Sequence, residues 1–332
     1  MENYLQRDDR IFIAGATGMA GSAIVRKLKE KGYGNQKYNG KLLTPTRKEL
    51  DLKDLNSVKN WFKENNPTIV ILAAAKVGGI LANEQMPASF LIDNLKIQTN
   101  IIETAWTYGV KRLLFLSSSC IYPKYSEQPI KEEYLLKGAL EPTNEWYAIA
   151  KIAGIKLCQS LRIQYGFDAI SLMSTSLYGP GDNYHPTESH VIPSLINKFY
   201  TAFKNNSRSV TCWGTGSPLR EFMHVDDLGE ATIYALEKWN PASTNAPLDD
   251  NGKPLTYLNV GTGIDISIKE LSKTIAKYID FNGEIIWDAS KPDGTPKKQL
   301  DIRRFKDLGW SAKIDFEKGI KDTVHTYINE NK

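Results

Sequence analysis

Short apolar runs alternate along the first half of the chain with longer stretches whose apolar residues recur every three or four positions. Ile11-Phe12-Ile13-Ala14 and Lys41-Leu42-Leu43-Thr44 are of strand type. Thr68-Ile69-Val70-Ile71-Leu72-Ala73-Ala74-Ala75 and Arg112-Leu113-Leu114-Phe115-Leu116 are continuous apolar runs, the mark of parallel strands buried on both faces. Helical pattern covers Ser22 to Lys31, Leu55 to Glu64, Pro87 to Tyr108 and the run from Asn144 to Gly154. Strands alternating with helices predict an α/β fold built on a doubly wound parallel sheet, whose ligand crevice opens at the carboxyl ends of the strands. Ser117-Ser118-Ser119-Cys120 falls at such an end. Beyond Tyr178 the pattern loosens into turns and short elements, as expected of a substrate-binding cap. The reading is therefore a nucleotide-binding domain over residues 1–177 and a smaller C-terminal α/β substrate-binding domain over 178–332, with the segment around 256–263 returning to the main sheet. Asn240 to Pro254, rich in Pro, Asn and Asp, reads as an exposed loop, and Ile268 to Tyr278 as an amphipathic helix.

The turn after the first strand is Gly15-Ala16-Thr17-Gly18-Met19-Ala20-Gly21. A strand, a glycine-rich turn and a helix make the phosphate-cradling geometry of a Rossmann fold: glycines let the backbone approach a pyrophosphate, and the helix N-terminus offers free N–H groups. In an NAD site an acidic residue near the end of the second strand accepts hydrogen bonds from the ribose 2′-OH. Here that end reads Pro45-Thr46-Arg47-Lys48, which suits a 2′-phosphate and predicts NADP(H), with Arg47 the leading contact. Gly15, Thr17, Gly18, Met19 and Gly21, with Arg47, Asp51, Ala74 and Lys151, form the expected cofactor-binding set.

Composition adds exclusions. Lys plus Arg exceed Asp plus Glu by 42 − 38 = 4, too little to argue for nucleic acid. The 3 cysteines, Cys120, Cys158 and Cys212, show no metal-ligand clustering and read as thiols of a reducing cytoplasm. The charged N-terminus is neither a signal peptide nor an anchor, and no apolar run reaches the roughly 18 residues of a membrane span.

Tyr147 and Lys151 lie four apart in a run of helix formers, one turn apart on one helix face. A cation beside a phenol favours its ionised form, which predicts a Tyr acid/base active nearer neutral pH. Tyr33 with Lys37, Tyr200 with Lys204 and Tyr234 with Lys238 share the spacing, so context must select among them.

That context is a resemblance. The glycine turn, the serine-ended strand and Tyr147 with Lys151 together resemble the extended short-chain dehydrogenase/reductase family. More narrowly, Ser118-Ser119-Cys120-Ile121-Tyr122-Pro123, Glu141-Pro142-Thr143-Asn144-Glu145, Tyr178-Gly179-Pro180, Ser189-His190-Val191-Ile192-Pro193, Trp213-Gly214, Arg220 to Asp227 and Asp288 to Pro296 resemble the members that epimerise and reduce GDP-4-keto-sugars. The resemblance implies conversion of GDP-4-keto-6-deoxy-D-mannose to GDP-L-fucose, by epimerisation at C3 and C5 and then reduction at C4 by NADPH. A 4-keto group acidifies the hydrogens on both neighbouring carbons, so one acid/base pair can serve both inversions. The resemblance assigns that pair to Cys120, as base, and His190, as acid. It implies that Tyr147 protonates the C4 oxygen, that Lys151 holds the nicotinamide ribose, and that Ser118 hydrogen-bonds the carbonyl. Asn144, Ser176, His190, Trp213, Arg220 and Lys291 form the implied substrate-binding set, with Arg220 chosen for the diphosphate because a forked guanidinium suits phosphate. Cys158 and Cys212 are left structural.

Two positions depart from the family pattern. Thr17 stands where many relatives carry a basic residue, which rests the NADP preference on Arg47. Ser176 stands where Asn is usual, so its shorter side chain would reach substrate through water. The alternative enzyme is another nucleotide-sugar epimerase or dehydratase on the same fold; a 4-epimerase would recycle tightly held NAD and need no extra acid/base pair. A non-catalytic nucleotide sensor would lack the Tyr and Lys. The resemblance also implies a homodimer whose contact includes the helix of Tyr147, although Ala148, Ala150, Ala153 and Gly154 on that helix equally suit packing on the sheet.

Overall fold

The first apolar run folds as β1 (Arg10–Ala14), with Ile11, Phe12 and Ile13 shut away from solvent, in a computed structural model that describes residues 3–185, 189–291 and 293–331. Pro292 of the late loop motif lies outside the described residues. There follow α1 (Met19–Glu30), β2 (Lys41–Leu43), α2 (Leu55–Asn65), β3 (Ile69–Leu72), α3 (Ile80–Gln85) and α4 (Pro87–Thr107). β4 (Arg112–Ser118), α5 (Glu145–Tyr165) and β5 (Ala169–Ser174) complete the series. Two boundaries moved for local reasons. α1 begins at Met19, ahead of the expected Ser22, because Gly18 already holds the extended N-cap conformation. Ala73 to Ala75 leave the sheet at the carboxyl end of β3.

The main sheet has the order β2-β1-β3-β4-β5 with every pairing parallel, so the strand order reverses between β1 and β3. A ligand crevice belongs at that switch point. Alternation along the strands divides the core between the two faces. Phe12, Val70, Leu72, Leu113 and Phe115 meet Phe62 of α2, Ile101 of α4 and Ile155 of α5. Ile11, Ile13, Ile71 and Leu114 meet Ile24 and Leu28 of α1 on the other face.

The second half contains β6 (Ser176–Tyr178), α6 (Val191–Lys204), β7 (Ser209–Trp213), β8 (Leu219–His224), α7 (Val225–Lys238) and β9 (Tyr257–Val260). It ends with β10 (Asp265–Ser267), α8 (Ile268–Ile279), β11 (Glu284–Asp288), β12 (Lys297–Lys298), α9 (Arg303–Asp307) and α10 (Phe316–Glu330). β9 adds to the main sheet beside β5, where the 256–263 segment was expected. α7 also returns, covering the α1 face with Leu228, Leu236 and the buried Trp239. The remaining strands form two small groups, β10-β8-β12 with β6 on β8, and β11-β7. A separate apolar core joins α6, α8 and α10 through Ile196, Phe199, Ile275 and Val324.

This half is more helical than the loosening pattern suggested. Pro193 is compatible with α6 because it lies in the first turn, where its missing N–H has no helical partner to lose. No helix among the described residues is long and apolar enough to cross a membrane.

Candidate active site

The glycine turn is a cradle that side chains would fill. Gly15 has φ +88, a conformation strained for other residues, and a Cβ there would lie 2.7 Å from the backbone nitrogen of Ala74. A Cβ on Gly21 would run into the Gly15 carbonyl. Gly18 caps α1 without any side-chain hydrogen bond, and no acidic residue sits in the first turn. The leading N–H groups of α1 therefore face outward with a positive dipole end, as an anionic pyrophosphate requires. Ala74 closes the cradle at the end of β3; Thr17 is exposed and Met19 half-buried on its rim. Arg47 and Asp51 are exposed beyond the end of β2, and Asp51 accepts a hydrogen bond from the Lys53 backbone N–H at 3.0 Å.

At the carboxyl end of β4 the chain makes a short 3₁₀ turn, Ser119–Ile121, which starts when the Ser118 hydroxyl accepts a hydrogen bond from the Cys120 N–H at 3.3 Å. That use of its oxygen leaves the Ser118 O–H able to donate. Cys120 Sγ receives the Asn144 amide Nδ2 at 3.4 Å, while Asn144 Oδ1 is buried without a partner. Asn144 immediately precedes α5, which carries Tyr147 and Lys151, so one helix start positions three of the predicted groups.

The Tyr–Lys pair behaves differently from the sequence expectation. Lys151 is buried, its Nζ donates to the Leu116 carbonyl at 2.9 Å, and it lies 5.8 Å from the centre of the Tyr147 ring and 4.7 Å from that of Phe115. Burial lowers its pKa to about 7. The Tyr147 phenol is raised well above its usual value, by burial first and by the negative charge of an ionised Cys120 second. The expected lowering of the Tyr pKa by Lys151 is thus corrected: in the chain alone desolvation wins, and the phenol is held protonated.

His190 sits at the N-cap of α6, yet its side chain makes no capping bond. Its ring is open to solvent but flanked by enough protein that desolvation lowers its pKa, a combination that fits the wall of a cleft. Arg220, on β8, is held by donating to the carbonyls of Leu219 at 2.8 Å and Asp293 at 3.4 Å. Burial lowers its pKa, against opposing pulls from Cys120, Glu141 and Asp293, which places it within electrostatic reach of the Cys120 site. Trp213, half exposed at the end of β7, lies beneath the ammonium groups of Lys198 and Lys291, each 5.5 Å from its ring centre. Ser176, half-buried on β6, pairs in register with Phe222 of β8. Two lysines escaped the sequence reading: Lys198, and Lys298, whose Nζ lies 3.8 Å from Cys120 Sγ. Neither sits in a motif, and only strand and helix packing brings them in.

The Tyr147–Lys151 spacing is singled out by burial. Of the other three pairs, Lys204 lies against the Tyr200 ring at 5.7 Å, and the Tyr33 and Tyr234 hydroxyls donate to Glu237 and to the Leu308 carbonyl. None of these three lies at the crevice.

Residues 11–246 match the model of the NAD dependent epimerase/dehydratase family. GDP-L-fucose synthase 1 of Arabidopsis thaliana is 50% identical over 319 residues, 96% of this chain and 93% of that one. GDP-L-fucose synthase of Escherichia coli (strain K12) is 49% identical over 319 residues, 96% of each chain. Among solved structures, a GDP-mannoheptose C4 reductase from Campylobacter jejuni with NADP bound has a TM-score of 0.84 at 36% identity, covering 98% of this chain and 99% of that one. With the glycine cradle, the Tyr and Lys on one buried helix face and this likeness along nearly its whole length, the chain belongs to the NAD dependent epimerase/dehydratase family, alongside the GDP-L-fucose synthases.

Proposed function

We propose that the chain converts GDP-4-keto-6-deoxy-D-mannose to GDP-L-fucose, inverting C3 and C5 before reducing C4 with NADPH. The observation that carries this reading is a thiol beside the reductase Tyr: Cys120 lies at the open end of β4, close enough for its charge to bear on Tyr147. A reductase or a 4-epimerase has no need of a second acid/base group there. In this reading Cys120 removes a proton from C3 or C5, the C–H bonding pair moves to the 4-keto oxygen as an enolate, and His190 returns a proton to the opposite face. NADPH, when bound, supplies the hydride that reduces C4. Tyr147 gives its phenolic proton to the oxygen at C4 as negative charge gathers there, and Ser118 donates a second hydrogen bond to it. Lys151 holds the cofactor ribose, Gly15 to Gly21 hold its pyrophosphate, and Arg47 meets its 2′-phosphate. Asn144 Oδ1, buried and unpartnered, suits a sugar hydroxyl; Arg220 suits the diphosphate and Trp213 a face of the nucleotide.

A homodimer through α4 and α5 fits the apolar surface there, where Ile92, Trp146, Ile149 and Ile163 are exposed. Three of the four small residues of α5 serve its own packing, since a Cβ on Gly154 would lie 2.6 Å from the Phe115 ring and Ala148 and Ala150 are buried, whereas Ala153 is exposed. Three free thiols suit a reducing cytoplasm.

The whole reading is tested by supplying NADPH and GDP-4-keto-6-deoxy-D-mannose and identifying the sugar; a product with C3 and C5 uninverted would overturn it. The cofactor assignment has its own test. Arg47→Ala should raise the KM for NADPH roughly 10–100-fold, the worth of a charge-assisted hydrogen bond, and leave the KM for NADH almost unchanged. Equal changes for the two cofactors would remove Arg47 from the 2′-phosphate.

A further inference from the structure

Cys120 Sγ faces two nitrogen donors. Asn144 Nδ2 lies at 3.4 Å and Lys298 Nζ at 3.8 Å, the first 24 positions along the chain from Cys120 and the second 178. Lys298 is half-buried, and among the described residues no carboxylate stands within ion-pair distance of it, whereas its neighbour Lys297 pairs with Asp265 at 3.1 Å. The position of Lys298 is built into the fold. β12 runs parallel to β8 with Lys298 in register with Arg220. Just beyond it, Leu300 N–H donates to Glu221 at 2.7 Å, and Gln299 N–H donates to the Gln128 side chain at 2.9 Å. Glu221 itself is buried and also accepts from the Thr262 and Gly263 N–H groups at 2.6 and 2.8 Å. A strand end fixed from both sides thus presents an ammonium to a sulfur that nothing acidic competes for.

We propose that Lys298 is a positioning residue for the epimerisation half of the reaction, holding Cys120 Sγ as the thiolate that accepts the substrate proton. This rests on the functional reading above, in which Cys120 is the base. The charged sulfur is the form that two N–H donors suit. When Sγ takes the proton from C3 or C5, an S–H bond forms, the C–H pair becomes the enolate, and Lys298 keeps its three protons throughout. Asn144 supplies direction and Lys298 supplies charge. An amide, being neutral, adds no counter-charge, and Arg220, the other cation within electrostatic reach of the sulfur, spends its donors on the Leu219 and Asp293 carbonyls.

Alkylation of Cys120 by iodoacetamide, followed by mass spectrometry at one neutral pH, reads thiolate reactivity without substrate or cofactor. Cys158 and Cys212 are buried and give little background. Lys298→Met should slow the alkylation roughly 3–10-fold, since one neighbouring charge changes the thiolate fraction by tenfold or more while a less stabilised thiolate is the stronger nucleophile. Lys298→Arg should stay near the native rate, and both variants should lower exchange of C3 and C5 hydrogens with deuterated water in the same order. Alkylation of Lys298→Met at the native rate would overturn the proposal, as would an Arg variant slowed as much as the Met variant, which would mark a purely structural role. Should Lys298→Met fail to fold, Lys298→Gln takes its place with the same expectation. If the native enzyme shows no exchange at C3 and C5 while the alkylation contrast holds, it is the assigned reaction that fails and the charge pairing that stands.

Discussion

Tyr147→Phe should abolish reduction and spare epimerisation. NADPH oxidation in the presence of the keto-sugar is expected to fall about 10²–10⁴-fold, the usual contribution of one positioned proton donor, while deuterium from the solvent still enters C3 and C5. Among the described residues the Tyr147 hydroxyl makes no hydrogen bond, so the substitution removes an O–H and orphans no partner. Burial and the nearby Cys120 charge raise the phenol, so it stays protonated through neutral pH and well above it. The sign follows: ionisation of Tyr147 should not be what ends the pH range of reduction on the alkaline side. Of the Tyr147–Lys151 pair, Lys151, lowered to about 7 in the chain alone, is the member that changes charge first as pH rises. Absorbance at the nicotinamide band and proton NMR of the sugar, run on the same sample, separate the two half-reactions. Unimpaired NADPH oxidation by the Phe variant would remove Tyr147 from the chemistry.

How far the sequence shows this site depends on how locally each part is built. The cradle is legible because Gly15 and Gly21 are demanded by close backbone approach within one turn, and the buried strands because β3 and the middle of β4 are apolar runs. Lys298 could not be read this way, since it reaches Cys120 across 178 positions and depends on two residues of β12 pairing with β8. Lys198 is a lysine on an amphipathic helix and gains meaning only beside Trp213. The error over Tyr147 has a different origin. Spacing in a helix correctly put Lys151 near the phenol, but spacing carries no information on how completely both groups are desolvated, and that larger effect sets the sign.

The second variant, Cys120→Ser, should have the opposite phenotype. Serine preserves the shape and can still accept from Asn144 and Lys298, but its hydroxyl does not ionise at neutral pH, so the base is lost while the turn after β4 is retained. Exchange of the C3 and C5 hydrogens with deuterated water should fall about 10²–10⁴-fold. NADPH affinity should be unaltered, because the cradle at Gly15 to Gly21 shares no residue with the thiol site. A GDP-4-keto-sugar already inverted at C3 and C5 should still be reduced, since Tyr147, Lys151 and Ser118 are untouched. The two variants can therefore be combined in one vessel: if the Phe variant releases inverted keto-sugar, the Ser variant should reduce it, and the mixture should make GDP-L-fucose that neither makes alone. Native exchange rates in Cys120→Ser would end the assignment of the thiol as base and transfer that burden to His190, the other member of the proposed acid/base pair.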